Sequence, residues 1–118
     1  MSEGRLRQAM LLDFYGELLT ERQRLCFDLH YNEDLSLSEI AEQCGISRQG
    51  VWDNIRRAES AMEDIEEKTG LIRRFEENRS ALEKIREDMK TLAAITGGQA
   101  HETAVKAMEE IDTVIARG

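Results

Sequence analysis

Apolar residues recur along this chain at spacings of three and four, the period of an amphipathic helix. The first such stripe is Leu11, Phe14, Tyr15 and Leu18, within a helix expected over Leu6 to Leu19. Thr20, with Gln23 three residues on, has the form of a capping box and opens a second helix over about Glu21 to Tyr31, expected to bury Leu25, Cys26 and Leu29. A polar turn at Asn32 to Asp34 follows, and Ser36 with Glu39 repeats the capping box. Ile40, Ala41 and Cys44 share one face of a short helix, in which Ala41 is small where a crossing helix must come close. Gly45 stands where a helix ends in a left-handed residue, Ile46 returns to the core, and Ser47 caps a helix whose Val51, Ile55 and Ala58 face inward. Ser38 to Ile55 thus predicts a helix-turn-helix.

The second helix of that motif has no reason to stop at Ala58. Met62 and Ile65 continue its stripe, and nothing interrupts it before Gly70. The pattern predicts one long helix of about five turns. A further helix over Leu71 to Thr96 carries heptad positions Phe75, Leu82 and Met89, with Ile85 and Leu92 beside them and Asn78 interrupting. Gly97 and Gly98 close it. Ala104, Met108, Ile111 and Ile115 form one face of a last segment, which can fold back antiparallel. The fold class expected is all-α, with a helix-turn-helix domain over residues 1–58 and a helical extension over 59–118. A heptad stripe is usually plain intramolecular core, but the chain has more apolar helical face than a four-helix domain needs and Asn78 resembles a register-setting polar residue, so against that alternative a homodimer through residues 59–118 is expected.

Opposite Val51 on a helical wheel, at about 100° per residue, lie Gln49, Asp53 and Arg56, with Trp52 and Arg57 flanking them. Together with Arg48 these are the candidate nucleic-acid-binding residues. Gln49 has the chemistry to pair with adenine, Arg48 or Arg56 with guanine, and Arg57 with phosphate. Asp53 can accept from cytosine or pair with Arg56 or Arg57. Trp52 can stack on a base or sugar, or pack on a neighbouring helix.

Composition narrows the classes. The chain has 118 residues, no proline and a net charge of −8. Residues 1–35 carry 4 basic and 7 acidic side chains, 36–58 carry 3 and 3, and 59–118 carry 9 and 14. Unspecific attraction to phosphate is therefore weak, and only the edge with Arg48, Arg56 and Arg57 is locally positive. Beyond it Glu59, Glu63, Asp64, Glu66 and Glu67 are expected to repel a duplex and confine it to the first turns of the helix. Cys26 and Cys44 lack a CxxC spacing and read as buried, reduced thiols. His30 and His101 stand alone in the sequence, as surface or capping side chains. The residues assemble no nucleophile with a base, no phosphate-cradling glycine loop and no metal spacing, so an enzyme, a cofactor and a metal are not expected. The amino terminus MSEGRLRQ lacks the apolar core of a signal peptide and no apolar stretch reaches membrane-spanning length, so a cytoplasmic protein without membrane insertion is expected.

From LLDFYGELLTERQRLCFDLHYNEDLSLSEIAEQCGISRQGVWDNIRRAE through EEKTGLIRRF the chain resembles the YlxM family of bacterial helix-turn-helix proteins. The segments SRQGVWDNI from Ser47, DFY at Asp13 to Tyr15 and LSLSEIAE at Leu35 to Glu42 carry most of the likeness. More distantly, LTERQRLCFDLHYNEDLSLSEIAEQCGIS resembles the promoter-reading domain of sigma factors. The resemblance implies an all-α bacterial cytoplasmic protein, a regulator linked to the signal recognition particle pathway through gene neighbourhood. The sigma-like comparison implies DNA contact at Arg48, Gln49, Trp52, Asp53 and Arg56, although Trp52 and Asp53 depart from the small and basic residues common there. Two functions follow as expectations. One is a DNA-binding regulator. The other is an adaptor that contacts protein or ribonucleoprotein components of the signal recognition particle pathway.

Overall fold

A computed structural model describes residues 3–118. Its helices are α1 (Glu3–Tyr15), α2 (Glu21–Tyr31), α3 (Leu37–Cys44), α4 (Arg48–Thr69), α5 (Leu71–Ile95) and α6 (Gly98–Arg117), with a 3₁₀ turn over Gly16–Leu18. The chain divides into two compact units, Met1–Ile72 and Arg73–Gly118. The architecture is all-α.

Both capping boxes are formed. Thr20 Oγ1 accepts from the Gln23 amide while Gln23 Oε1 accepts from the Thr20 amide, each at 3.2 Å. Ser36 Oγ accepts from the Glu39 amide at 3.1 Å, and Glu39 Oε1 from the Ser36 amide at 3.2 Å. Each pair satisfies donors that a helix start leaves without intrahelical partners. The turn between α3 and α4 is closed by Gly45 at φ 68 and ψ 34, with the Ile46 amide donating back to the Ala41 carbonyl at 3.1 Å. That six-to-one bond is possible because glycine enters the left-handed region without steric cost. Ser47 then caps α4, accepting from the Gly50 amide at 3.0 Å.

The first unit packs Leu11 and Tyr15 of α1, Cys26, Phe27 and Leu29 of α2 and Ile40 of α3 around Val51, Ile55, Ala58 and Met62 of α4, with Ile72 closing the cluster. Four expectations are corrected here. The first helix stops at Tyr15 rather than Leu19, because Gly16 tightens the chain into a 3₁₀ turn whose Leu19 amide bonds to the Gly16 carbonyl at 3.2 Å. As a result Leu18 points outward, 69 % exposed, and Phe14 is exposed as well. On α2, Leu25 is exposed and Phe27 fills the core instead. The helix is covered on the side of Cys26, Phe27 and Leu29, and Leu25 falls outside that arc. Finally Glu66, expected to face solvent, is only 7 % exposed. Its Oε1 accepts from the Tyr15 hydroxyl at 2.6 Å and from the Ile72 amide at 2.9 Å, joining α1, α4 and the first turn of α5.

Cys26 is fully buried and Cys44 half-buried, both as free thiols. Burial, then the neighbouring Cys44, pushes the Cys26 thiol up from its ordinary range. His30 bonds through Nδ1 to the Leu35 carbonyl at 3.0 Å, and because a carbonyl only accepts, that nitrogen carries the proton. Asp34, at φ 59, turns the chain between α2 and α3 and pairs with Arg5 of α1.

In the second unit α6 runs antiparallel to α5, as Arg86–Asp112 at 2.6 Å and the His101 Nδ1–Ala93 carbonyl bond at 2.7 Å require. The Thr96 hydroxyl takes the Leu92 carbonyl at 2.7 Å, so two carbonyls of the last turn of α5 find side-chain donors. Phe75, Leu82 and Met89 are half-buried, and Ala93 and Ala104 are buried. Among the described residues, no helix is long and apolar enough to cross a membrane.

Candidate nucleic-acid interface

Helix α4 starts within the short turn after α3 and runs for 22 residues, about 33 Å at 1.5 Å per residue. Its buried side is fixed by Val51, Ile55, Ala58, Met62 and Glu66. That fixes the other side as solvent-facing. Arg48, Gln49, Trp52, Asp53, Arg56 and Arg57 are all exposed, on the first three turns of α4. Gln49, Asp53, Arg56 and Arg57 share the outward arc of the helix, and Arg48 and Trp52 lie on its flank.

Within this surface two contacts organise the side chains. Gln49 Nε2 donates to Asp53 Oδ1 at 3.0 Å, so the partner of Asp53 is Gln49 one turn earlier. A primary amide carries two N–H donors and a carbonyl acceptor. Gln49 therefore keeps one N–H and its oxygen uncommitted by this bond while Asp53 steadies the group. The Arg56 guanidinium carbon lies 5.4 Å from the centre of the Trp52 ring, a cation–π contact. Trp52 is 42 % exposed, so its ring is offered to solvent. Asn54, on the flank, is occupied by a bond to the Gly50 carbonyl at 2.8 Å.

Three of the acids beyond Ala58 are held by the rest of the unit. Glu59 accepts from the Tyr31 hydroxyl at 2.5 Å, Glu63 pairs with Arg7 at 3.2 Å, and Glu66 is held by Tyr15. Burial, followed by the hydrogen bond to Glu59, pushes the Tyr31 phenol up to about 12. Nothing in the spacing marked these pairings, because each partner lies 28 or more positions away in sequence. The one available sign was the tyrosine hydroxyl itself, which must find a partner when its ring is buried. Asp64 and Glu67 are exposed.

A short capped helix, a left-handed glycine turn and a second helix crossing the first with its polar edge outward define a helix-turn-helix domain. A family model described as "Putative helix-turn-helix protein, YlxM / p13 like" matches residues 2–100, and the chain belongs to that family, UPF0122. The chain is similar to a UPF0122 protein of Thermoanaerobacter sp. (strain X514), 43 % identical over 111 residues, covering 94 % of this chain and 92 % of the relative. A UPF0122 protein of Acetivibrio thermocellus is 49 % identical over 84 residues, 71 % of this chain and 72 % of the relative. One from Shouchella clausii is 41 % identical over 112 residues, 95 % of this chain and all of the relative.

Proposed function

We propose that the protein is a DNA-binding regulator that inserts the first three turns of α4 into a major groove. The observation that carries this reading is the common exposure of Arg48, Gln49, Trp52, Asp53, Arg56 and Arg57 on the outer edge of the second helix of the motif. An α-helix fits the major groove, where bidentate side chains distinguish base pairs. Gln49, steadied by Asp53, reads adenine, and Arg48 or Arg56 reads guanine, each contact contributing about 1–3 kcal/mol of discrimination. Arg57 takes a phosphate. The Trp52 ring, with Arg56 on one face, stacks on a base or sugar.

A net charge of −8 favours a second reading, an adaptor that presents the same edge to a protein or ribonucleoprotein component of the signal recognition particle pathway. One experiment separates the two. Random and genomic DNA fragments are captured at fixed salt, about 0.1 M, on the wild type and on an Arg48→Ala, Gln49→Ala, Arg56→Ala variant. A sequence motif enriched by the wild type and lost in the variant supports DNA reading. No enrichment by the wild type overturns it in favour of the adaptor.

A further inference from the structure

Helix α5 has a second apolar stripe that α6 does not cover. Phe75, Leu82 and Met89 face α6, as do Arg86 and Ala93, which contact Asp112 and His101. Around the helix from them runs a row made of Asn78, which also edges the groove that Phe75 and Leu82 form with Val114 and Ile115, then Ala81, Ile85, Asp88, Leu92 and Ile95, at spacings of three and four, and every one is exposed. Ile85 is 46 %, Leu92 39 % and Ile95 75 % exposed. A three-four repeat of this kind is the seam of a two-stranded coil, in which side chains of one helix enter the spaces of another.

We propose that this seam docks on the same seam of a second copy, antiparallel, about a two-fold axis near residue 83. The polar members of the row choose the direction. In a parallel pair Asp88 would face Asp88 of the second copy, setting like charges together in the seam. In the antiparallel register Asn78 faces Asp88 of the second copy, an amide donor against a carboxylate, and the two-fold repeats the pair. The same register places Ala81 against Ile85 of the second copy, small against large, in both central layers. Leu92 lies along the aliphatic stem of Arg74 of the second copy. All these pairs share one axis, because the residue numbers of each sum to the same value. The seam therefore complements itself in hydrogen bonding and in shape. The expectation of a homodimer through residues 59–118 thereby acquires a specific interface, one that is independent of whether DNA is bound.

Asn78 and Asp88 are ten positions apart on one helix, about 15 Å, and cannot bond within one chain. A charge exchange between them therefore reads only an intermolecular contact. Sedimentation equilibrium of the full chain without DNA, at about 1–100 µM, follows self-association of four proteins, with far-UV circular dichroism confirming unchanged helix content. The wild type is expected to dimerise. Asn78→Asp sets two carboxylates face to face and weakens the dimer about tenfold or more. Combining it with Asp88→Asn re-forms the pair with its members exchanged and restores association. Ile85→Lys, which carries a charge into both central layers, gives a monomer. A monomeric wild type across this range overturns the proposal, as does an Asn78→Asp dimer of unchanged strength. So does a double variant no stronger than Asn78→Asp, which would mean a different occupant or register on this face.

Discussion

The Tyr15 hydroxyl is the test of how the first unit is closed. It donates to Glu66 Oε1 at 2.6 Å, lies 2.8 Å from Thr69 Oγ1, and sits on a residue only 3 % exposed, facing a carboxylate that is itself 7 % exposed. Burial first, then the hydrogen bond to Glu66, raises the phenol above its ordinary value, which keeps it a donor. Tyr15→Phe keeps the ring and its packing and deletes only the oxygen. There is thus no cavity term of the kind that accompanies loss of carbon atoms. What is lost is one short bond to a buried carboxylate, which contributes about 1.5–3 kcal/mol, together with the weaker neutral bond to Thr69 Oγ1. The expected loss of stability is about 2 kcal/mol. Urea unfolding followed by tryptophan fluorescence measures it in the relevant unit, because the single tryptophan, Trp52, lies on α4 within Met1–Ile72. A double-mutant cycle with Glu66→Gln should show a coupling of about 1 kcal/mol or more, since the two side chains are in direct contact. A Tyr15→Phe change below about 0.5 kcal/mol, the range of ordinary surface substitutions, would refute the claim that this bond closes the unit.

The two tyrosines give a pH prediction. Tyr15 and Tyr31 are the only ones in the chain, and both phenols are raised, Tyr31 to about 12 from an ordinary 10.0. On unfolding both would release protons sooner, so their contribution to stability is complete below pH 10 and is lost as pH rises above it, for Tyr31 through the folded value near 12. Tyrosinate absorbance should therefore lag the ordinary titration while the protein stays folded, and Tyr31→Phe should flatten the alkaline fall in stability. A midpoint near 10 in folded protein contradicts this. At the motif's turn, Gly45→Ala should cost about 1–2 kcal/mol in urea unfolding although a Cβ there meets nothing within 4 Å, because the penalty is the left-handed backbone alone. A neutral result would show that the turn relaxes out of φ 68.

Helix-scale features were readable from the sequence because they depend on local chemistry. Thr20 with Gln23, Ser36 with Glu39, Ser47, Gly45 and Gly70 each act on backbone groups within a few residues, so the residue types alone place the element ends. The outer edge of α4 was legible for a similar reason, since a stripe of Val51, Ile55, Ala58 and Met62 fixes which way the rest of the helix points. What spacing could not show was three-dimensional partnership. Phe14 and Leu25 satisfy a helical stripe as well as Phe27 does, and only the directions from which neighbouring helices approach decide which of them is covered. Glu66 is the sharpest case. As an acid in an acidic run it reads as solvated, and its burial depends on Tyr15, 51 positions earlier, and on the Ile72 amide.

Those same partnerships limit where an anionic ligand can lie on α4. Taking Val51 as zero at about 100° per residue, Glu59, Glu63 and Glu66 fall at roughly 60–120°, on the flank where Tyr31, Arg7 and Tyr15 hold them. The outward arc, at roughly 140–240°, holds Gln49, Asp53, Arg56 and Arg57, then Ser60, then Asp64 and Glu67, while Arg48 and Trp52, at roughly 60° and 100°, lie on the flank of those glutamates one or more turns earlier. The arc thus changes sign along its length, positive in its arginines early and acidic in the last two turns. Arg57 and Asp64 are seven residues apart, about 10 Å. That is close to the screening length of about 8–10 Å at physiological salt, so the arginines are felt by a phosphate beside them while the acids are largely screened from it. A phosphate one turn further along would meet the opposite balance. The arrangement therefore places a short cationic footprint on the first turns of α4 of a chain whose net charge is −8. On the proposed DNA-binding function, affinity must draw on base-edge and ring contacts of Gln49 and Trp52, because phosphate attraction over so short a stretch is small.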